Sequence, residues 1–387
     1  MKKKIQLMNK IAACGTDLFP AAAYDVDVEI SEPDALLVRS ASLHDTAFAP
    51  SLRAIARAGA GVNNIPLDRC SESGIVVFNT PGANANGVKE LALAALILAS
   101  RNVVGGIEWV SSLAGQPDIA KTVEKGKGAY VGCELAGKTL GVIGLGAIGG
   151  LVANAAAALG MSVIGCDPYI TVNAAWALSG AVKKASSYEE IYRVADYITL
   201  HVPATAETRG MIGAASLSLM KDGVKIINLS RADLVCAADL KAALATGRVS
   251  SYVTDFPTEE TVGVPGIVNI PHLGASTYES EDHCAIMACR QLRDYLENGN
   301  IQNSVNFPAV SMPRSGVQRL CLAHRNVPNM LSQITTLISG EGINIANLAN
   351  GSRGAYAYTL LDVDHAVSPA VLDALREIDG MIRVIAL

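Results

Sequence analysis

The sequence predicts an α/β protein: two doubly wound α/β domains, the first of them discontinuous, followed by a small C-terminal ferredoxin-like βαββαβ unit. Three observations carry this. Short apolar runs alternate with helical stretches from Ile5 to about Asn269. A glycine-rich turn at 144–149 joins an apolar run to an alanine-rich helix. Beyond a proline-bearing linker the order changes to strand, helix, two strands, helix, strand.

In chain order, residues 35–38 read as a strand ending at Arg39-Ser40. Residues 52–58 read as a helix that stops at Gly59-Ala60-Gly61, residues 74–78 as a strand, and residues 88–101 as a long apolar helix. Residues 116–131 are polar and irregular, a surface arm. A strong helix at 281–297 returns to the first domain, which therefore comprises 1–92 and 274–306. The second domain, 93–273, holds strands at 139–143, 162–165, 197–201, 225–228, 251–254 and 267–269, separated by helices. That alternation means a parallel sheet. Residues 307–315 form the linker and 316–387 the last unit. This last unit shows no catalytic constellation, which fits a sensor or assembly module.

Composition narrows the function classes. Half of the 387 residues are hydrophobic, so a large core is available. The net charge of −5 and the lack of a basic patch argue against nucleic acid. Met1-Lys2-Lys3-Lys4 is not followed by an apolar stretch, and the longest apolar run, 91–100, is too short to span a bilayer. No membrane partner is expected. The eight cysteines are scattered, with no C-x-x-C pair and no His/Cys cluster, so neither disulfides nor a metal site is expected, and the setting reads as cytoplasmic.

The turn Gly144-Leu145-Gly146-Ala147-Ile148-Gly149 has G-x-G-x-x-G spacing between a strand and a helix, and Asp167 follows a second strand eighteen residues after Gly149. Gly144 permits the tight turn, Gly146 lets the backbone approach a pyrophosphate, and Gly149 lets the helix pack on the sheet. The helix N-terminus presents free N–H groups to the anion. Asp167 can accept from ribose hydroxyls, and its charge repels a 2′-phosphate, which favours NAD over NADP.

Parallel sheets hold ligands beyond the carboxyl ends of their strands. Three polar clusters fall there: Asn228-Leu229-Ser230-Arg231, Asp255 with Glu259 and Glu260 beyond it, and Pro271-His272-Leu273-Gly274. An arginine, an acid and a histidine suit hydride transfer on a 2-hydroxy acid. Arg231 can hold a carboxylate bidentately and polarise the carbonyl, His272 can exchange the hydroxyl proton, and a carboxylate can orient the imidazole.

With these motifs in view, the chain resembles the D-isomer-specific 2-hydroxyacid dehydrogenase family over nearly its whole length. Its most specific pieces are Gly-Leu-Gly-Ala-Ile-Gly at 144–149, Asn-Leu-Ser-Arg at 228–231 and Pro-His-Leu-Gly-Ala-Ser-Thr at 271–277. The resemblance implies Arg231 and His272 as catalytic residues, with Glu260 or Glu259 as the paired acid, because 255–260 lacks one residue of the family's loop. It implies NAD contacts from Gly144, Gly146, Ala147, Ile148, Gly149, Asp167, His201, Val202, Pro203, Leu229, Ser230, Asp255 and Gly274. It implies substrate contacts from Arg39, Ala60, Gly61, Val62 and Asn84. The reaction implied is oxidation of D-3-phosphoglycerate to 3-phosphohydroxypyruvate. The alternatives are another 2-keto acid, such as hydroxypyruvate or 2-oxoglutarate, or a silent NAD-sensing scaffold. The last unit resembles an ACT domain, which implies an L-serine effector at His324, Asn326 and Asn344, with Asn329 standing where glycine is usual. The family further implies a homodimer or homotetramer.

Overall fold

The computed structural model describes residues 2–387. It divides into two compact units: one from the N-terminus through Ala83 that resumes at Glu281 and runs to Leu387, the other from Asn84 to Ser280.

The second unit is built on seven parallel strands: β6 (Thr139–Ile143), β7 (Ser162–Cys166), β8 (Val182–Lys184), β9 (Tyr197–Leu200), β10 (Val224–Asn228), β11 (Val249–Thr254) and β12 (Ile267–Asn269), with β1–β5 in the other unit. Their spatial order is β12-β11-β10-β9-β6-β7-β8. The sequence order reverses between β6 and β9, and a crevice opens beyond the strand ends at such a switch point. Strands buried on both faces by helices read as continuous apolar runs, as in Tyr197–Leu200, where all four residues are buried. The helix Ala85–Ser100 packs Val88, Ala92, Leu96 and Ala99 into the core that holds Leu140, Val142, Ile227 and Val253. It therefore packs within this compact unit, which runs from Asn84 to Ser280, wider at both ends than the 93–273 expected for the second domain.

The first unit contains β1 (Lys3–Leu7), β2 (Tyr24–Asp27), β3 (Ala35–Val38), β4 (Ala54–Arg57) and β5 (Val76–Phe78), parallel, in the order β2-β1-β3-β4-β5. Residues 54–57 correct one reading: the segment expected to be helical is a strand, paired with β3 on one side and β5 on the other. The arm at 116–131 also carries more structure than expected, a helix Ile119–Gly126 and a 3₁₀ turn Lys127–Tyr130, after an additional helix Val103–Ser112.

The C-terminal stretch has the expected βαββαβ order. Strands β13 (Gln318–Arg325), β14 (Ile345–Arg353), β15 (Tyr356–Val363) and β16 (Met381–Ala386) form an antiparallel sheet ordered β14-β15-β13-β16. Helices Met330–Gly340 and Pro369–Arg376 cover one face; Ser368 caps the second by accepting from Val371 N–H, with proline at the first turn. The tail is not a separate body. Leu320, Leu322, Leu361 and Val363 face the two helices. The alternate residues Cys321, Ala323, Tyr358 and Leu360 share a core with Phe78, Tyr295, Ile301 and Phe307. Strand residues point alternately to opposite faces, so the apolar run 320–323 within β13 must be covered on both. Burying one leucine stabilises by about 1.5–3 kcal/mol, enough in sum to keep the sheet docked.

A buried ion pair fastens the joint. Arg319 and Asp362, both 0% exposed, meet bidentately at 2.6 and 2.7 Å. Arg319 also donates to the carbonyls of Asn298, Met312 and Pro313, and Asp362 accepts from Ser315 N–H. One guanidinium thus ties the tail, the segment before it and the end of the helix Tyr278–Asn298.

Candidate active site

The glycine turn follows β6 directly. Gly144 has φ +90°, and a Cβ there would lie 2.5 Å from His201 O. A Cβ on Gly149 would lie 1.9 Å from Gly144 O, so the helix Ala147–Ala158 can start only with glycine at that point. Gly146 differs: nothing lies within 4 Å of its Cβ position. The space over Gly146 is the cradle a pyrophosphate needs. No side chain caps this helix start, so its N–H groups face that space. At the end of β7, Asp167 accepts from Leu145 N–H and Tyr169 N–H, both at 2.9 Å, which holds its carboxylate beside the turn.

These glycines separate two effects. Gly149→Ala is expected to destabilise the unit, because backbone must move. Gly146→Ala is expected to leave thermal stability within about 0.5 kcal/mol yet weaken NADH binding at least tenfold, read by fluorescence titration. Equal NADH affinity in Gly146→Ala and the parent would sink the assignment of the cradle.

At the end of β9, His201 places Nε2 3.0 Å from Thr199 Oγ1, and burial pushes its imidazole down to about 4, so it is neutral near pH 7. Its Nδ1 is buried and unpartnered among the described residues. Val202 and Pro203 continue from it, the Pro203 carbonyl accepting from Thr208 Oγ1 at 2.6 Å.

The loop after β10 is folded by Asn228, which is fully buried. Its side chain accepts from Ser230 N–H and donates to Arg231 O and Tyr252 Oη. Leu229 is buried, and Ser230 Oγ donates to Leu200 O at 2.7 Å. Arg231 therefore emerges exposed at the sheet edge, with its guanidinium 5.6 Å from the centre of the Phe256 ring. The other side of the cluster is His272, also exposed, whose ring centre lies 4.5 Å from that of Phe256. Arg231 and His272 thus flank one aromatic ring on one edge of one sheet. Phe256 was not singled out in the sequence; its only signal is that it follows Asp255 at a strand end.

Asp255 is 1% exposed. Burial pushes its carboxyl above the usual carboxylate range, opposed by the positive fields of His272 and Arg231 and by a hydrogen bond from Gly274 N–H. Its Oδ1 is buried and unpartnered among the described residues. A Cβ on Gly274 would come within 3.3 Å of Asp255 Oδ2, a close approach that lets the His272 loop fold over this carboxylate. The pairing expected of Glu260 or Glu259 is not formed: neither makes an ion pair with His272 among the described residues. Both instead line a 260 Å³ cavity with Asp233, Phe256 and Thr258.

In the first unit, Arg39 and the 60–62 turn follow β3 and β4, two neighbouring strands, and so lie at the same sheet edge. Asn9 Oδ1 accepts from the N–H groups of Arg39, Ser40 and Ala41, fixing that loop. Arg39 is ion-paired to Glu281 at 2.6 Å. Arg57, which the sequence reading passed over, donates Nε–H to Arg39 O and packs over Gly59, leaving two guanidiniums at this edge. Ala60 O accepts from Asn79 Nδ2–H, and Val62 O from Ile65 N–H, while Gly61 stays partly exposed in the turn between them. Asn84 lies in the other unit, at the start of the helix Ala85–Ser100, where its side chain makes no cap bond.

Of the three effector candidates, His324 is 2% exposed with both ring nitrogens engaged, by Arg325 O and Thr359 Oγ1, each at 2.9 Å. Asn326 and Asn344 remain exposed. Asn329 adopts φ +67°, the left-handed conformation that asparagine tolerates in place of glycine. Among the described residues, no group of three His, Cys, Asp or Glu is arranged to hold a metal ion.

Residues 93–274 match the family model described as the NAD binding domain of D-isomer specific 2-hydroxyacid dehydrogenases. The D-3-phosphoglycerate dehydrogenase of Escherichia coli strain K12 is 31% identical over 339 residues, covering 84% of this chain and 78% of the relative. The chain belongs to the D-isomer-specific 2-hydroxyacid dehydrogenase family. The D-3-phosphoglycerate dehydrogenase of Methanocaldococcus jannaschii is 34% identical over 300 residues, and the match spans only about half of that relative, 54% against 74% of this chain. Among solved structures, the NAD⁺-bound 3-phosphoglycerate dehydrogenase of Entamoeba histolytica superposes with TM-score 0.62 at 25% identity, over 79% of this chain and 99% of its own. A glyoxylate reductase from Paecilomyes thermophila superposes with TM-score 0.64 at 26% identity, over 79% and 98%.

The cofactor of this dehydrogenase is NAD, and the residues present fit it. The open space over Gly146 would take the pyrophosphate, and Asp167 would accept from the ribose hydroxyls. The orphaned Asp255 Oδ1 and His201 Nδ1 are buried polar atoms that each want a partner, as a carboxamide or hydroxyl would supply.

Proposed function

We propose that this dehydrogenase oxidises D-3-phosphoglycerate to 3-phosphohydroxypyruvate, the entry step to L-serine. The observation that supports this most is the cluster of Arg231, Asp255 and His272 around Phe256, at the carboxyl edge of the NAD-binding sheet. The named relatives supply the substrate. NAD, when bound, accepts the hydride from C2.

The chain's own residues do the rest. Arg231 pairs with the substrate carboxylate in a two-pronged hydrogen bond and draws density from the C2 oxygen. His272 takes the C2 hydroxyl proton as the hydride leaves and returns it in the reverse direction. Asp255 is the carboxylate whose field favours the imidazolium that forms. Phe256 excludes water from one side of both cations, which strengthens their fields. In the first unit, Arg39, with Ala60, Gly61 and Val62, offers a guanidinium and backbone N–H groups suited to an anionic substrate group; Asn84, in the second unit, offers an amide.

A panel of 2-keto acids with NADH, run with and without millimolar L-serine, tests this reading. The expected result is a specificity constant for 3-phosphohydroxypyruvate at least tenfold above those for hydroxypyruvate and 2-oxoglutarate. A preference for either of those moves the substrate, and NADH binding with no turnover would leave a silent scaffold. Serine inhibition would support an effector site at His324, Asn326 and Asn344; no inhibition would leave the tail an assembly and bracing element.

A homodimer or homotetramer is the expected assembly. The helix Val103–Ser112 buries none of its residues, and Ile107, Val110, Ile119 and Val131 are exposed apolar side chains that suit a second copy. No single helix is long and apolar enough to cross a membrane, and all eight cysteines are free, which suits a reducing cytoplasm.

A further inference from the structure

The tail's last strand borders a groove that the dehydrogenase reaction does not use. Strand β16 is the edge of its sheet, paired only with β13, so its outer backbone edge is open. That edge, together with Pro50, Ser51, Arg53 and Arg376, encloses a cavity of about 620 Å³. The size is within the range of small-molecule sites, roughly 300–1,000 Å³.

Three guanidiniums line it: Arg53 on the first sheet, Arg376 at the end of the helix Pro369–Arg376, and Arg383 on β16. Their charge is only partly answered. Arg376 is paired at the surface with Asp373, three residues earlier on its own helix. Arg53 has a loose contact with Asp34 at 3.5 Å. Arg383 forms no ion pair among the described residues. It donates instead to two carbonyls, Leu52 O at 2.6 Å and Ser73 O at 2.9 Å. Burial lowers its proton affinity, and Arg53 lowers it further. A half-buried arginine held by neutral carbonyls, with a second guanidinium beside it, is a cation awaiting an anion.

We propose that this groove is a binding site for a small phosphate-bearing anion, seated between β16 and the Pro50–Arg53 segment. Arg53, Arg376 and Arg383 supply forked donors, and the open edge of β16 supplies backbone N–H groups. Such a ligand spans the tail and the first sheet, so its binding braces the docked tail. A phosphorylated metabolite and free phosphate share this chemistry.

The full-length protein is tested by its thermal midpoint in potassium phosphate against potassium chloride at matched ionic strength. The expected result is a saturable rise of about 2–4 °C. It should vanish in the surface double variant Arg53→Gln with Arg376→Gln, and persist in Arg231→Gln, which removes the anion clamp of the dehydrogenase site. Repeating the titration with 3-phosphoglycerate in Arg231→Gln separates the sources: saturation at lower concentration than phosphate makes the ligand a metabolite, and saturation only with phosphate makes it the free ion. No rise over chloride, a rise that climbs without saturating, a rise that survives the double variant, or one that disappears in Arg231→Gln overturns the proposal.

Discussion

His272→Ala is expected to lower kcat by about 10²–10⁴-fold, the contribution of a positioned acid/base, while NADH affinity stays within a factor of about two of the parent. The side chain is exposed and its ring packs beside Phe256. Its removal therefore leaves no buried cavity, and the thermal midpoint should hold. This separates chemistry from folding. Steady-state reduction of 3-phosphohydroxypyruvate, followed by loss of NADH, reads the effect. A variant that keeps more than half the parent rate would remove His272 from the proton path.

The largest expected effect on stability is at the other end of the chain. Arg319→Met is expected to cost about 3–5 kcal/mol, because it strands Asp362 as a buried, unpaired carboxylate. Removing the charge as well, in Arg319→Met with Asp362→Leu, should recover most of that loss, since the two charges offset each other's desolvation. Urea midpoints of the single and double variants check both statements. The pair also fixes a pH dependence. Burial pushes the Asp362 carboxyl up, but hydrogen bonds from Arg319 and Ser315 outweigh it and hold the group below the usual carboxylate range. With the folded value below the unfolded one, the stabilisation is complete above about pH 4 and is lost as pH falls below it. In the double variant that acid-sensitive part should be absent.

The strand, glycine turn and helix at 139–158 were readable in the sequence as backbone geometry. Gly144, Gly146, Gly149 and Asp167 lie where spacing puts them, because each spacing has a steric cause that few other residues satisfy. The parallel central sheet and the strand order of the tail were also readable, from runs bounded by glycine and proline. The failures have physical reasons. Strand β4 reads Ala-Ile-Ala-Arg within an alanine- and arginine-rich stretch of helix formers. It is buried on both faces, so it lacks the period-two alternation that marks a half-exposed strand. The docking of the tail was hidden for a related reason. Cys321 and Ala323 are small and read as neutral, though apolar side chains at every position of 320–323 do mean two covered faces. Helix Ala85–Ser100 is apolar enough to suit either sheet, and only packing shows which one it joins.

The candidate cluster was readable as charged residues at strand ends and not in what gathers them. Arg231 and His272 stand at strand ends forty-one residues apart, and periodicity says nothing of the ring between them. Phe256 and Arg57 belong to no motif: each is placed by its strand and identified only by what it touches. The glutamate expected to face His272 sits in a loop one residue shorter than the family's. Glu259 and Glu260 line another cavity, and Asp255 is the carboxylate whose charge is coupled to that of the imidazole.

The most direct test of the central claim is a crystal structure of the unreactive ternary complex with NADH and D-3-phosphoglycerate. The account predicts the substrate carboxylate on Arg231 and the C2 hydroxyl within hydrogen-bond distance of His272. A substrate bound away from both, with His272 turned to solvent, would contradict it.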